Sequence, residues 1–309
     1  MTVLSGAATV RGMTAPSVAA RAWQSEQPRL LGIAYRMLGD YGHAEDVVSE
    51  VGLEAVRAER ETAVHSWPAW LTTVCVRRSI DRLRTAAAHR EEYPGPWLPE
   101  PVATELLPDE VVAQRELLSI GLLHLAEQLS PEARAALVLH RAFAMTAVEI
   151  GEILDKTAAA VRQLVSRAER RLDVHPEAPP PRAADPALLA ELVTAIERGE
   201  IETLLRLLED EAILWTDGGG KVRAALQPIY GAARIGRFYA GIYATAQATH
   251  PQAPMRATIV DINGEPGLDV RQEGRRDLLT FDLGPGGRLR GLRQIANPDK
   301  LTRTGTDPV

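Results

Sequence analysis

The chain has 309 residues, 45% hydrophobic and only 5% aromatic, enough for about two or three domains with aliphatic cores. A net charge of −6 excludes a uniformly basic nucleic-acid coat, and the lone cysteine, Cys75, excludes an internal disulfide and a cysteine-cluster metal site. No apolar run approaches about 18 residues, and no basic region precedes an apolar block at the N-terminus. Neither a membrane span nor a signal peptide is therefore expected, and the location expected is cytoplasmic.

The first ~20 residues are small and polar and are expected to fray. Residues 22–92 read as all helix. Leu30, Leu31, Ala34, Met37 and Leu38 recur at helical spacing until Gly39 stops them. Asp40 caps a second helix with the core stripe Ala44, Val47, Val48 and Val51. Its other face carries Glu45, Asp46, Ser49, Glu50 and Glu54. A polar loop over 57–67 ends in His65-Ser66-Trp67, and Pro68 suits the first turn of a third helix. That helix bears Arg77, Arg78, Arg82 and Arg84, with Asp81 as the one acid between 77 and 90. Lys156, Lys221 and Lys300 are the only lysines, so positive charge is nearly all arginine, the better bidentate partner for bases and phosphates.

The seam 93–101, YPGPWLPEP, has four prolines and a glycine that forbid a helix, yet Trp97 and Leu98 within it read as buried. Residues 108–173 form a second helical block. A long helix is expected to reach Gln128, and Ser130-Pro131 opens the next. Residues 146–172 then read as a helix-turn-helix. Thr146 and Glu149 form a capping box, and Val148, Ile150, Ile153 and Leu154 are the expected buried stripe. Asp155-Lys156 makes the turn and Thr157 caps the second helix. There Val161, Leu164, Val165, Ala168 and Leu172 share one face. Arg162, Gln163, Ser166, Arg167 and Arg170 lie elsewhere on that helix, and this arrangement suits either a solvated helix or one that enters a DNA major groove.

A second proline-rich seam, 174–185, reads as a semi-rigid linker. Residues 187–209 suggest two amphipathic helices broken near Gly199. A short strand at 212–215 leads into the turn Asp217-Gly-Gly-Gly-Lys221, and a helix follows over 231–243. Alternating runs at 257–262, 268–270, 278–283 and 289–295, with Asn263-Gly and Gly284–Gly287 as turns, predict an antiparallel meander. The third block is thus α+β.

LLGIAYRMLGD (30–40), HAEDVV (43–48), AWLTTVCVRRSIDRLR (69–84) and the helix-turn-helix resemble an extracytoplasmic-function RNA polymerase sigma factor. REE before YPGPWLPEP, DGGGK (217–221) and NPDKL (297–301) look like the subgroup with a C-terminal SnoaL-like extension. The resemblance implies two all-α sigma domains, region 2 at 21–92 and region 4 at 108–173. Linkers at 93–107 and 174–185 and a SnoaL-like, NTF2-like cone at 186–301 complete the division. It implies no cofactor, metal or membrane, and core RNA polymerase (β′ and β subunits) and promoter DNA as partners. Glu45, Asp46 and Glu50 would meet a basic polymerase surface, although the same charges suit a solvated face. His65, Trp67, Arg77, Arg78 and Arg82 would hold the −10 element. Stacking on His65 or Trp67 fits single-strand capture, and Trp67 suits the core equally. Arg162, Gln163, Ser166, Arg167 and Arg170 would read the −35 element. Two departures from the pattern stand out: Trp67-Pro68 before AWL, and Ser49-Glu50-Val51-Gly52 after AEDVV, where an aromatic is lost and Gly52 costs a helix about 1 kcal/mol against alanine.

Under the same resemblance the third block is a regulator in cis. Trp97, Leu98, Pro99, Asp217, Gly218, Gly219, Gly220, Lys221, Asn297, Pro298, Asp299 and Lys300 would lie at or near its contact with the sigma domains. Other readings are a small-molecule sensor, or an isomerase or hydrolase fused to a DNA-binding module. Asp217, His250 and Tyr230 are the candidate chemistry for an enzyme, but Asp217 opens a glycine turn, where aspartate is favoured for bonding the backbone. No catalytic residue is expected.

Overall fold

The computed structural model describes residues 17–113, 117–172 and 185–305; the first sixteen residues and nearly all of the expected second linker lie outside these. Three long helices open the chain: α1 (Val18–Leu38), α2 (Tyr41–Glu61) and α3 (Trp67–Glu91). The Ser17 hydroxyl accepts the Ala20 N–H, so α1 starts at Val18, well before the expected stripe that begins at Leu30, and carries Pro28 inside it. Gly39, at φ 65°, ends it, and the Asp40 carboxylate caps α2 by accepting the His43 N–H at 2.8 Å. α2 continues to Glu61, so the loop expected over 57–67 shrinks to 62–66.

Gly52 is a close-approach glycine. A Cβ there would sit 2.8 Å from the Trp23 indole, whose Nε1 donates to the Val48 carbonyl at 2.9 Å. The aromatic missing after AEDVV is thus supplied from α1, and the helix cost of glycine makes room for it.

The second helical block holds α4 (Asp109–Ala113), α5 (Ile120–Ala126), α6 (Pro131–Arg141), α7 (Ala147–Leu154) and α8 (Ala158–Leu172). The expected single helix to Gln128 is broken, with Leu117 at φ 56° and Ser119 capping α5. The capping box of α7 is present, and Asp155 takes the left-handed conformation at the turn. Val148 is a correction: it is 60% exposed, while Ile150 and Ile153 turn inward.

Leu98, Val102, Leu107 and Val111 belong to the same buried cluster as Leu30 and Ile33 of α1 and Leu137 and Leu139 of α6. The seam is therefore core from Leu98 onward, whereas Trp97, expected to be buried, is half-buried and Pro94 is exposed; both helical blocks pack around the buried part.

The third block runs α9 (Pro186–Arg198), α10 (Ile201–Leu207), β1 (Leu208–Asp217), β2 (Ile229–Tyr230), α11 (Ala232–Thr249), β3 (Arg256–Ile262), β4 (Glu265–Gln272), β5 (Arg275–Leu283) and β6 (Leu289–Ile295). Gly199 breaks α9 from α10 at φ 65°. The six-stranded sheet has the order β2-β1-β6-β5-β4-β3. β3 to β6 form the expected antiparallel meander, whereas β1 is longer than expected and pairs parallel to β6. Alternation across the strands gives the sheet two buried faces. Leu214, Leu268, Leu279 and Leu292 meet the helices, and Trp215, Leu278 and Ile295 meet the sigma-like blocks.

Candidate nucleic-acid interface and interdomain contact

α8 presents Arg162, Gln163, Ser166, Arg167 and Arg170 exposed on one side, while Val161, Val165, Ala168 and Leu172 anchor the other. Arg167 Nε donates to the Gln163 carbonyl and Arg170 Nε to the Ser166 carbonyl, each at 3.2 Å. These bonds run two guanidinium stems along an exposed helix face, where base edges or phosphates fit.

The candidate residues of α2 and α3 face each other. Arg82 lies 2.9 Å from Glu50 and 3.8 Å from Asp46, and Arg78 lies 2.9 Å from Glu54. Arg77 Nε donates to the Ile153 carbonyl of α7 at 3.3 Å. His65 is exposed. Trp67 is half-buried, edge-on to Trp70 at 5.7 Å, and packs on the core. Direct contact between the helical blocks extends further. Arg134, 1% exposed, donates from Nε to the Arg36 carbonyl at 3.1 Å and pairs with Glu127, which also takes Arg90.

Asp217 is fully buried. Its Oδ1 accepts from the Tyr93 hydroxyl at 2.5 Å and the Gly219 N–H at 3.1 Å. Its Oδ2 accepts from the Leu98 N–H at 2.9 Å and Lys300 Nζ at 2.7 Å. Lys300 also donates to the Leu98 carbonyl. The Trp97 ring takes the Arg90 guanidinium at 3.9 Å and Lys300 Nζ at 4.1 Å from its centre, the attraction of cations to an aromatic face. Burial pushes the Lys300 ammonium below its ordinary pKa, and the Asp217 carboxylate opposes that. Asn297 donates to the Tyr93 hydroxyl at 3.0 Å and, with Ala296, sends its N–H to the Asp217 carbonyl. Pro99 and Gly218 are buried. Gly219 makes room for Asn297 and Gly220 for Pro94, where a Cβ would come within 2.3 and 2.9 Å. Lys221 pairs with Asp299 at the rim, beside exposed Pro298. The glycine turn therefore aims Asp217 at the seam as well as bonding its own backbone.

Three further contacts escaped the sequence reading. Asn263 of the β3–β4 turn accepts the Val102 N–H at 2.9 Å and donates to the Tyr35 hydroxyl at 2.7 Å and the Leu118 carbonyl at 2.8 Å. One side chain thus ties α1, the seam and the segment before α5 together; asparagine before glycine signals a hairpin turn and nothing more. Arg303 pairs with Glu45 at 2.6 Å and Glu100 at 3.5 Å and stacks on Tyr41 at 5.1 Å. His124 of α5 stacks edge-on against Trp215 at 5.3 Å and accepts from Arg293 Nε at 3.3 Å. Burial and the Arg293 charge push its pKa down to about 3.

The enzyme candidates are not brought together. Asp217 is spent on the seam, Tyr230 is 57% exposed, and His250 lies 3.5 Å from Glu273 at the surface. Among the described residues no helix is long and apolar enough to cross a membrane.

A helix-turn-helix with an arginine face, a second helical block with an arginine-rich helix, and an α+β domain clamped onto both define a multidomain promoter-recognition factor. Comparison with known proteins agrees. Residues 22–89 match the family model for Sigma-70 region 2, and residues 120–172 match that for Sigma-70, region 4. The ECF RNA polymerase sigma factor SigJ of Mycobacterium tuberculosis is 33% identical over 91% of this chain and 92% of its own length. The probable ECF sigma factor SigI of the same species is 27% identical over 61% and 66%. The crystal structure of M. tuberculosis SigJ superposes with a TM-score of 0.72 at 30% identity, covering 93% of this chain and 99% of that one. The chain belongs to the extracytoplasmic-function RNA polymerase sigma factors, with two helical sigma domains followed by an α+β domain. Such factors bind core RNA polymerase and direct initiation at specific promoters; they are not enzymes.

Proposed function

We propose that this sigma factor is held in a closed arrangement by its own C-terminal domain and reads promoters when that arrangement opens. In the open form Arg162, Gln163, Ser166, Arg167 and Arg170 read −35 duplex, and Arg77, Arg78, Arg82, Trp67 and His65 hold −10 single strand. Glu45, Asp46 and Glu50 dock on a basic surface of the β′ subunit, and region 4 meets β. The domain division is region 2 at 21–92, region 4 at 108–173 and the regulatory domain at 186–301.

Geometry supports opening. Elements centred about 25 base pairs apart lie roughly 85 Å apart on duplex at about 3.4 Å per step. The linker 93–107 spans at most about 54 Å when fully extended, and here Leu98, Val102, Ala103 and Leu107 fold it into a core shared with both blocks. Two helical blocks in direct contact, as the Arg77 bond to the Ile153 carbonyl holds them, cannot sit on both elements until the seam is released.

The observation that carries the reading is Asp217, a buried carboxylate of the C-terminal domain whose bonds to Tyr93 and Leu98 hold the seam. The test is run-off transcription with core RNA polymerase, comparing the full chain with forms ending at residue 296 and residue 185. Unchanged promoter output from both truncations would sink the proposal.

A further inference from the structure

The grip of the C-terminal domain does not end at Lys300. Arg276 of β5 donates to the Leu301 carbonyl at 3.2 Å and to the Thr304 hydroxyl at 2.5 Å, which fastens the tail on either side of Arg303. Arg303 then reaches across the linker. Its carbonyl accepts the Ala103 N–H at 2.8 Å, beside the Val102 N–H that Asn263 holds. Its guanidinium lies 2.6 Å from Glu45 and 3.5 Å from Glu100, and 5.1 Å from the centre of the Tyr41 ring.

Two carboxylates and an aromatic face around one planar cation make a seat for arginine. Its walls are fixed from behind. Tyr41 and Glu100 are each 6% exposed. The Tyr41 ring stands edge-on to Tyr35 at 5.3 Å. Glu100 Oε2 accepts the Tyr41 and Gly42 N–H groups at 2.7 and 3.2 Å, so Oε1 is the oxygen turned to Arg303. The occupant is held less firmly. The Arg303 side chain is 35% exposed, so a second cation can reach Glu45 from solvent.

We infer that Tyr41, Glu45 and Glu100 form an arginine-binding site, filled in the closed form by Arg303 and on docking by an arginine of the basic polymerase surface, an assignment that rests on the closed-state reading and on Glu45 as a docking residue. The core enzyme is then itself the ligand that releases the tail. Tyr41 and Glu45 belong to α2 and stay with region 2 wherever the linker goes. One guanidinium fills the seat at a time, so tail and polymerase exclude each other. Linkage makes this reciprocal: whatever strengthens the tail contact weakens polymerase binding by the same factor. Because the Arg303 backbone also holds Ala103, displacing it loosens the linker beyond the Asp217 contact at Leu98.

The experiment titrates core RNA polymerase, without DNA, into the full chain, a chain ending at Leu301, Arg303→Lys and Arg303→Glu. The shortened chain and Arg303→Glu should each bind core about fivefold tighter or more, the lower end of ordinary couplings between sites. Arg303→Lys keeps the charge without the planar fork and should fall between these and the natural chain. In a Glu45→Gln chain the gain from Arg303→Glu should largely disappear. Arg303→Glu is full length, so it carries the test if the shortened chain folds poorly. Amide exchange of the full chain, with and without saturating core, should accelerate over 98–107 and 301–305. Core binding that leaves both segments protected, unchanged core affinity in Arg303→Glu, or a gain that persists undiminished in Glu45→Gln would overturn the site. If ending the chain at residue 185 alters promoter output while these affinities stay fixed, the arginine site falls and the closed-state reading stands; if neither moves, both fall.

Discussion

Asp217→Asn is the sharpest perturbation of the closed state, because four donors converge on one carboxylate. If the amide nitrogen takes the Oδ2 position, it faces the Leu98 N–H and the Lys300 ammonium, donors now 2.9 and 2.7 Å from an acceptor. If it takes the Oδ1 position, Tyr93 can turn to accept, but the Gly219 N–H at 3.1 Å loses its partner. Either way the carboxylate charge that offsets Lys300, itself only 8% exposed, is gone. Removing one member of a buried ion pair costs about 3–5 kcal/mol, roughly a 100- to 4,000-fold weakening of docking at about 1.4 kcal/mol per decade.

Two readouts follow. Amide exchange at Leu98 and Asn297 should accelerate ahead of the α1–α3 core, and run-off transcription with core polymerase should rise as the seam is released more often. Lys300→Met should weaken docking too, and the double variant should recover part of the loss because neither charge is then left alone. Natural exchange rates at Leu98 together with natural promoter output in Asp217→Asn would refute the reasoning.

Arg303→Ala should expose Glu45, and since the pair is half-exposed its loss is worth only about 0.2–1 kcal/mol; binding titrations with core polymerase should tighten by about 1.4- to fivefold, and no tightening would argue against Glu45 as a docking residue. Gly52→Ala should destabilise despite its better helix propensity: overpacking against Trp23 costs about 1–3 kcal/mol against about 1 kcal/mol gained, a difference that urea unfolding resolves. The pH dependence has two opposed parts. His124, with a folded pKa near 3 against an ordinary 6.5, destabilises as pH falls from 6.5 toward 3, because the unfolded chain then binds the extra proton. Glu265, raised by burial to about 7 from 4.5, contributes stability that is full below 4.5 and is lost as pH rises through 7. The two offset each other between about 4.5 and 6.5, so His124→Gln should gain melting temperature relative to the natural chain on acidification. Arg162→Ala should cost about 1–3 kcal/mol of −35 binding at fixed salt, as read by anisotropy with duplex DNA.

What the sequence made legible was local. The capping box at Thr146, the cap at Asp40, the break at Gly199 and the β3–β6 meander are each set by residues within four or five positions, and each stands where expected. What it hid is long-range pairing. Val148 fits the apolar period of α7 yet is exposed, because periodicity names a face without saying how wide the contact on it is. The parallel pairing of β1 with β6 joins residues about eighty apart, beyond any turn signal. The same limit governs the site. Glu50, Glu54, Arg78 and Arg82 were readable as an acidic face and a basic face, but which faces which is decided by how α2 packs on α3, and here the two faces pair with each other. A polymerase surface that takes the acids must therefore also release the arginines. If Glu50 docks on polymerase and Arg78 and Arg82 hold the −10 strand as proposed, docking and freeing those arginines become one event, a coupling that neither charge run expresses alone.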